Sequence, residues 1–445
     1  MDQRQTAIDI FMAGVESVKP NNLIKRYVSI NSTTLKIEDI NFDFSVIKNI
    51  YVVGAGKASV LMAQAMELIL GYRITAGHII TKYKHSVPLK FIEITEAGHP
   101  VPDENGIKGT NRILEIVNNA GKDDLVICLI SGGGSALLAD VPEGCTLDNV
   151  KEVNSILLKT GASISEMNCI RKHLSKVKGG QLARTAYPAR VISLILSDVI
   201  GDLLDVIASG PTAPDPTTFS DAISIIKKYK IENEIPERIL QVLWEGFDKK
   251  RQETLKESDE VLLHTNNLII GTNLLALKTA KEKAQSLGYE TQIITNKLDG
   301  DVVDVANYIV EISKKTKLEK IDRNICLLFA GEPTVNVTGN GMGGRNQHLA
   351  IITAQLIENL SNITFLSGGT DGTDGPTDAT GAVVDSFTSQ NARILDLNME
   401  QYINNHDSYN FFKQEGGLII TGPTQTNVMD LMVVLIDHDV FDSSA

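Results

Sequence analysis

The chain has 445 residues, and at ~100–200 residues per domain that predicts two or three domains with ample length for a buried core. Its net charge of −13, from 42 basic and 55 acidic side chains, excludes a protein that grips nucleic acid with its whole surface, because such binding needs clustered Lys and Arg. A hydrophobic content of 42% excludes a disordered chain, and four scattered cysteines (Cys128, Cys145, Cys169 and Cys326) exclude a disulfide scaffold and fit a reducing cytoplasm.

The first eighteen residues lack a basic region followed by a long apolar run, so they do not read as a signal peptide. Within 4–18, Ala7, Ile8, Ile10, Phe11, Val15 and Val18 recur at helical spacing and predict an amphipathic helix. Residues 50–53 form a short β-branched run that meets Gly-Ala-Gly, and SVLMAQAMELIL behind it is apolar nearly all round. Strand, glycine turn and buried helix open a parallel α/β unit. HIITKY and FIEITEA predict strands, 107–118 a helix, and LVICLI and VISLILSD two more strands that end in polar loops. Neither of these last two runs approaches the ~18 residues that would span a bilayer, so a cytoplasmic protein with no membrane partner is expected.

Residues 221–265 are rich in Lys and Glu and read as surface helices and a connector. The α/β pattern then restarts with NLIIGTN, a helix ending at Gly288, TQIIT, a helix over 301–315, NICLLFAGEPTV and ITFLSGGTDGTDG. GLIITGPTQTNVMDLMVVLI closes the chain as strand material around a Gly-Pro turn. The expectation is two α/β domains, 1–245 and 246–445. Ligands of open α/β sheets bind beyond the carboxyl ends of the strands, so the polar loops are expected to line one cleft.

GAGKAS, Gly54 to Ser59, lets the backbone approach a ligand through Gly54 and Gly56, and Lys57 adds a point charge. It is neither a Walker A loop nor GxGxxG, and a tight turn with a solvated lysine would use the same residues. Ser131, Gly132, Gly133, Gly134 and Ser135 follow LVICLI directly, a composition that suits a phosphate or carboxylate nest. Arg171, Lys172, His173, Lys176 and Lys178 cluster in an acidic chain, with Arg171, Ser175 and Lys178 on one face if the segment is helical. A polyanionic small ligand would fit; ion pairs within the protein account for most such charges. Asp198 follows a strand and stands at the ligand edge, whereas Asp205 reads as a capping or packing residue. Glu332, Arg345 and Asn346 lie in a glycine-rich loop before a helix, where Arg345 could neutralise a transferring phosphoryl group or sit exposed in a turn. Asp371, Asp374, Asp378 and Asp385 lack the final glutamate of a calcium loop; their closeness suits Mg2+ or a general base.

Taken in order, GAGKAS, SGGGSALL, RKHLSKVKGGQLA, SDVIGDLLDVIASGPTAPDPTTF, GEPTVNVTGNGMGGRNQ, GGTDGTDGPTDATGAVVD and TGPTQTNVMDL resemble the glycerate 2-kinase family. These are the class II glycerate kinases, whose C-terminal part is called the MOFRL domain. The resemblance implies ATP-dependent phosphorylation of the C2 hydroxyl of D-glycerate with a divalent cation, Mg2+. It implies a Rossmann-like N-terminal parallel sheet, a C-terminal α/β domain and an active site in the cleft between them. Lys57 and Arg345 match the family's catalytic lysine and arginine. Asp198 and Asp371 are implied as catalytic, Asp374 and Asp378 as metal ligands, without a single assignment of base and ligand. The 131–135 loop, Gly54, Gly56, Lys178 and Asn427 are implied as nucleotide or substrate contacts. Met429 stands where the family usually has Asn, and Leu203 where proline is common; the first of these could loosen a hydrogen bond near the site.

The rival expectation is an NAD(P)-dependent hydroxypyruvate reductase. It needs an acidic residue ending the second strand to hold a ribose, and ITAGHIITKYK over 74–84 supplies none.

Overall fold

The computed structural model describes residues 2–319 and 322–438. The described chain forms two compact units, one over Leu23–Ile270 and one combining the segment up to Asn22 with the chain from Gly271 onward.

In the Leu23–Ile270 unit a small antiparallel sheet comes first, from β1 (Val28–Ile30), β2 (Thr34–Ile37) and β3 (Ile40–Asp43). The main sheet has β4 (Ile50–Ala55), β5 (Ile74–Lys82), β6 (Glu93–Ala97), β7 (Leu125–Ile130), β8 (Arg190–Leu196) and β9 (Thr265–Gly271), in the order β6-β5-β4-β7-β8-β9. β4 and β7 are central and buried at every residue, which explains their unbroken apolar runs. The five strands β4 to β8 pair in parallel. Their carboxyl ends therefore share one edge, and from that edge emerge Lys57, Lys82, His99, the 131–135 turn and Asp198.

The Lys- and Glu-rich stretch, expected as surface helices and a connector, does form helices, but they are part of a second core in this unit. Helices Phe219–Tyr229 and Glu237–Phe247 turn Phe219, Ile223, Ile226, Ile239 and Leu243 against Leu147–Lys159 and Ile164–His173. The charged residues occupy the outer faces of amphipathic helices. The expected boundary at 245/246 thus falls inside the packed helix Glu237–Phe247, and the two units divide in sequence between Ile270 and Gly271.

The other unit holds a mixed sheet of β10 (Glu290–Leu298), β11 (Ile325–Gly331), β12 (Ile363–Gly369), β13 (Gly381–Asp385), β14 (Leu418–Ile419) and β15 (Asp430–Ile436), ordered β10-β11-β15-β12-β13-β14. β15 runs antiparallel between β11 and β12, and at one end Asp430 pairs with both Gly331 and Gly369. The helix Gln3–Ser17 belongs here, not with the N-terminal residues that follow it. Its Phe11 ring lies over Gly368, and Arg4 bonds Asp385 at 2.6 Å and Glu415 at 2.9 Å. An amphipathic helix needs an apolar sheet face to cover, and sequence order does not say which sheet offers one.

All four cysteines are free. No helix among the described residues is long and apolar enough to cross a membrane.

Candidate active site

The turn after β4 is knitted to the turn after β7. Lys57 donates its backbone N–H to the Gly132 carbonyl at 2.9 Å, and Ala58 donates its own to the Ser131 hydroxyl at 3.0 Å. That hydroxyl also pairs with Ser59 at 3.1 Å. Ser131 is thus engaged in building the site and is 1% exposed. Gly56 is required: a Cβ there would stand 2.0 Å from the Ser131 Oγ, and its φ is +146°. Gly54 packs on β7, 2.0 Å from the Leu129 carbonyl by the same construction.

Lys57 is half-buried, and among the described residues its ammonium has no hydrogen-bond or ion-pair partner. A Cβ on Gly133, φ +82°, would meet the His99 ring at 2.8 Å and the Lys57 stem at 3.4 Å. His99 is held down to about 4 by burial and then by Lys57, Lys82 and His85. It is neutral at neutral pH and therefore offers one N–H donor and one acceptor without adding to the charge. Gly132 leaves room for Asp198, whose Oδ2 would stand 2.0 Å from a Cβ at that position. Ser135 pairs with Ser209 at 2.8 Å.

The basic stretch splits into two kinds of residue. The helix ends at His173, so the expected helical face through Arg171, Ser175 and Lys178 does not form. Lys172 is buried against Asp205 at 2.9 Å and Asp215 at 3.3 Å, and His173 lies between the Cys169 carbonyl and Glu253. These two serve the fold. Lys178 bonds the Leu138 carbonyl and pairs with Asp140 at 3.5 Å. Arg171 bonds Asn154 at 2.7 Å and, among the described residues, has no carboxylate partner. The turn nevertheless brings Arg171 and Lys178 to one cavity with His99, Gly133 and Ser135.

In the other unit the register of the sheet sets the second group. Asp430 opens β15 opposite Gly331 and Gly369, so Glu332 and Asp371 emerge beside it. Arg345, the first residue of the helix Arg345–Ile357, is clamped between them. It bonds Asp430 through Nε at 2.6 Å and through a terminal nitrogen at 3.1 Å, and Glu332 through the other at 2.7 Å. Burial would lower its pKa, but Asp430 and Glu332 outweigh this and raise it. Burial pushes Asp430 up to about 6, against the pull of Arg345 and Asn346. Three of the guanidinium's five N–H donors are engaged, which leaves two for a ligand.

The aspartates of the 371–378 loop separate. Asp374 is 2% exposed and accepts the backbone N–H groups of Asn346 at 3.1 Å and Gln347 at 2.8 Å. It caps the helix that carries Arg345. Asp378 is exposed and accepts from the Tyr409 hydroxyl at 2.8 Å. These two do not fit as a metal pair, because both Asp374 oxygens already face N–H donors. Asp371 fits better. Its Oδ1 accepts from Thr373, and among the described residues its Oδ2 accepts nothing. A Cβ on Gly369 would stand 3.4 Å from Asp371 Oδ1 and 3.5 Å from Asp430 Oδ1. Mg2+ commonly takes one or two carboxylates and completes its shell with water and phosphate. Among the described residues no group of three or more His, Cys, Asp or Glu is placed to hold a metal.

Asn427 accepts from the Met429 N–H at 3.0 Å in a turn tied to Thr370. Met429 has φ +72°. Asn adopts that left-handed region more readily than Met, so the residue at this position bears on backbone conformation.

Asp430 and His99 are the groups that motif reading missed. The signal for Asp430 was a charge at the head of the wholly apolar run LMVVLI; His99 stands in a proline-rich loop with no motif.

Two α/β units, each presenting glycine-built loops and an arginine or lysine beyond its strands, define a phosphate- or carboxylate-handling enzyme class. Residues 6–244 match the model of a domain of unknown function, DUF4147, and residues 325–430 match the MOFRL family. The chain is 42% identical to the D-glycerate 2-kinase of Thermotoga maritima over 97% of this chain and 98% of that one. A protein of Agrobacterium vitis with a provisional hydroxypyruvate reductase name is 40% identical over 86% of each chain. The solved structure of a Thermotoga maritima glycerate kinase superposes with a TM-score of 0.87, at 40% identity, covering 98% of this chain and 99% of that one. The chain belongs to the glycerate 2-kinase (MOFRL) family.

Proposed function

We propose that the protein is an ATP-dependent glycerate 2-kinase that phosphorylates the C2 hydroxyl of D-glycerate. The observation that carries the reading is the near full-length similarity to a relative named D-glycerate 2-kinase, with Lys57 present in a turn and Arg345 at a helix start that are fixed by hydrogen bonds. The C2 oxygen attacks the γ-phosphorus, the bond to the β-phosphate oxygen breaks, and ADP leaves. The hydroxyl proton passes to a carboxylate, for which Asp198 is the candidate. Lys57 and Arg345 supply donors to the phosphoryl oxygens, where catalysis is mostly positioning and electrostatics. Mg2+, when bound, neutralises phosphate charge, and Asp371 is the residue of its loop that would hold it.

The reductase reading is disfavoured by Lys82. β5 ends in this cation, where a dinucleotide site of the NAD type presents an acid to the ribose. The test is a pair of assays with D-glycerate. ADP should appear with ATP and Mg2+, and absorbance at 340 nm should stay flat with NAD or NADP. Reduction of the nicotinamide without ADP formation would overturn the proposal.

A further inference from the structure

The cavity lined by Arg171 and Lys178 lies wholly in the Leu23–Ile270 unit and has a volume of about 460 Å³. Its size and its lining do not suit glycerate. A three-carbon hydroxy acid would leave most of it filled with water and would gain nothing from its apolar walls. Those walls are made by Val101 and Pro102 from one loop, and by Val150 and Leu158 from the helix Leu147–Lys159. Val101 is 62% exposed and Leu158 66% exposed. Large apolar side chains left in water at the lining of a polar-floored cavity mark a binding surface.

The polar groups come from several elements, with Lys151, Asn154 and Ser155 on the wall helix itself and Asp140 paired with Lys178. Ser135 and Gly133 come from the turn beside Lys57, and Lys178 from the turn after the helix Ile164–His173. Arg171 is held by Asn154, with no carboxylate partner among the described residues, and burial pushes its pKa down. A half-buried guanidinium without a counter-ion is costly unless a ligand supplies one.

An occupant must therefore join a flat apolar body to an anionic or hydroxyl-rich part. We infer that this cavity is the nucleoside pocket of the nucleotide, with the base against Val101, Pro102, Val150 and Leu158 and the ribose–phosphate part toward Arg171 and Ser135. This rests on the kinase reading and settles a choice the sequence left open, whether the 131–135 loop faces nucleotide or hydroxy acid.

The test separates the two substrates. Equilibrium binding of ATP is measured without glycerate, and KM is measured for each substrate in turn. Leu158→Glu alters an exposed side chain and should leave the melting temperature unchanged. It should weaken ATP binding by ~10-fold or more through lost apolar contact and charge repulsion, with KM for glycerate changed by less than about 2-fold. Val150→Phe, which fills the cavity, should act in the same sense. Unchanged ATP binding in both variants would overturn the assignment, as would a rise confined to the KM for glycerate. Failure of the wild-type protein to form ADP with glycerate while binding ATP in a Leu158-dependent way would sink the substrate reading and leave the pocket standing.

Discussion

Lys57 stands in the turn after a buried strand and Arg345 at the first position of a helix, and the two units treat their charges in opposite ways. Lys57 has no counter-ion among the described residues; it stands near His99, and its backbone N–H is fixed to Gly132. Its position is set by the turn, and its charge is left for a ligand. Arg345 is paired with two carboxylates, Glu332 and Asp430, and is fixed through its side chain. It offers two oriented donors and no uncompensated positive charge. A lysine suits the first task because it is a point charge on a flexible stem, and an arginine the second because its fork can be gripped from behind.

The contrast is broken most directly by removing each charge. Lys57→Ala and Arg345→Ala should each lower kcat by ~10²–10³-fold in a steady-state ADP assay. Their stabilities should part. Lys57→Ala should leave the urea midpoint unchanged, whereas Arg345→Ala strands the buried Asp430 carboxylate and should cost about 3 kcal/mol. Equal stability losses would contradict the contrast.

Next in size is the turn that positions Lys57. Gly56→Ala forces a methyl into the Ser131 hydroxyl and should destabilise the protein by ~2–3 kcal/mol, measured by denaturant unfolding. Ser131→Ala orphans the Ala58 N–H and should cost ~1–3 kcal/mol.

A pH profile sharpens the Arg345 side. Asp430 must be ionised to grip the guanidinium, so kcat should fall as pH drops through about 6. Asp430→Asn should remove that inflection. The stability effect has the opposite sign. A carboxyl raised from 3.8 to about 6 favours the folded state most below 3.8, and that contribution is lost as pH rises through 6.

The smallest effects separate two aspartates of one loop. Asp374→Ala removes the cap of the helix Arg345–Ile357 and should cost ~1–2 kcal/mol. Asp378→Ala removes an exposed bond to Tyr409 and should change stability by less than about 0.5 kcal/mol. Thermal unfolding of the two variants side by side checks the order.

The strands, the glycine turns and the two cations proposed for catalysis, Lys57 and Arg345, were legible because each is local. A β-branched run followed by GAGK or SGGGS carries its own physical reason. What escaped was long-range. Asp374 caps a helix that begins at Arg345, and spacing within GGTDGTDGPTD cannot show that one aspartate turns inward while Asp378 turns to Tyr409. Asp430 became visible only when β15 was seen to run between β11 and β12. The Lys-rich stretch at 221–265 misled because the outer face of an amphipathic helix has the composition of a linker, and its inner face is told only by spacing.

The central claim is phosphoryl transfer to one particular oxygen, and the direct measurement is NMR of the product made from D-glycerate and ATP. The account predicts a phosphorus resonance coupled to the single C2 proton, with ADP formed in equal amount. Coupling to the two C3 protons, or recovery of hydroxypyruvate, would contradict it.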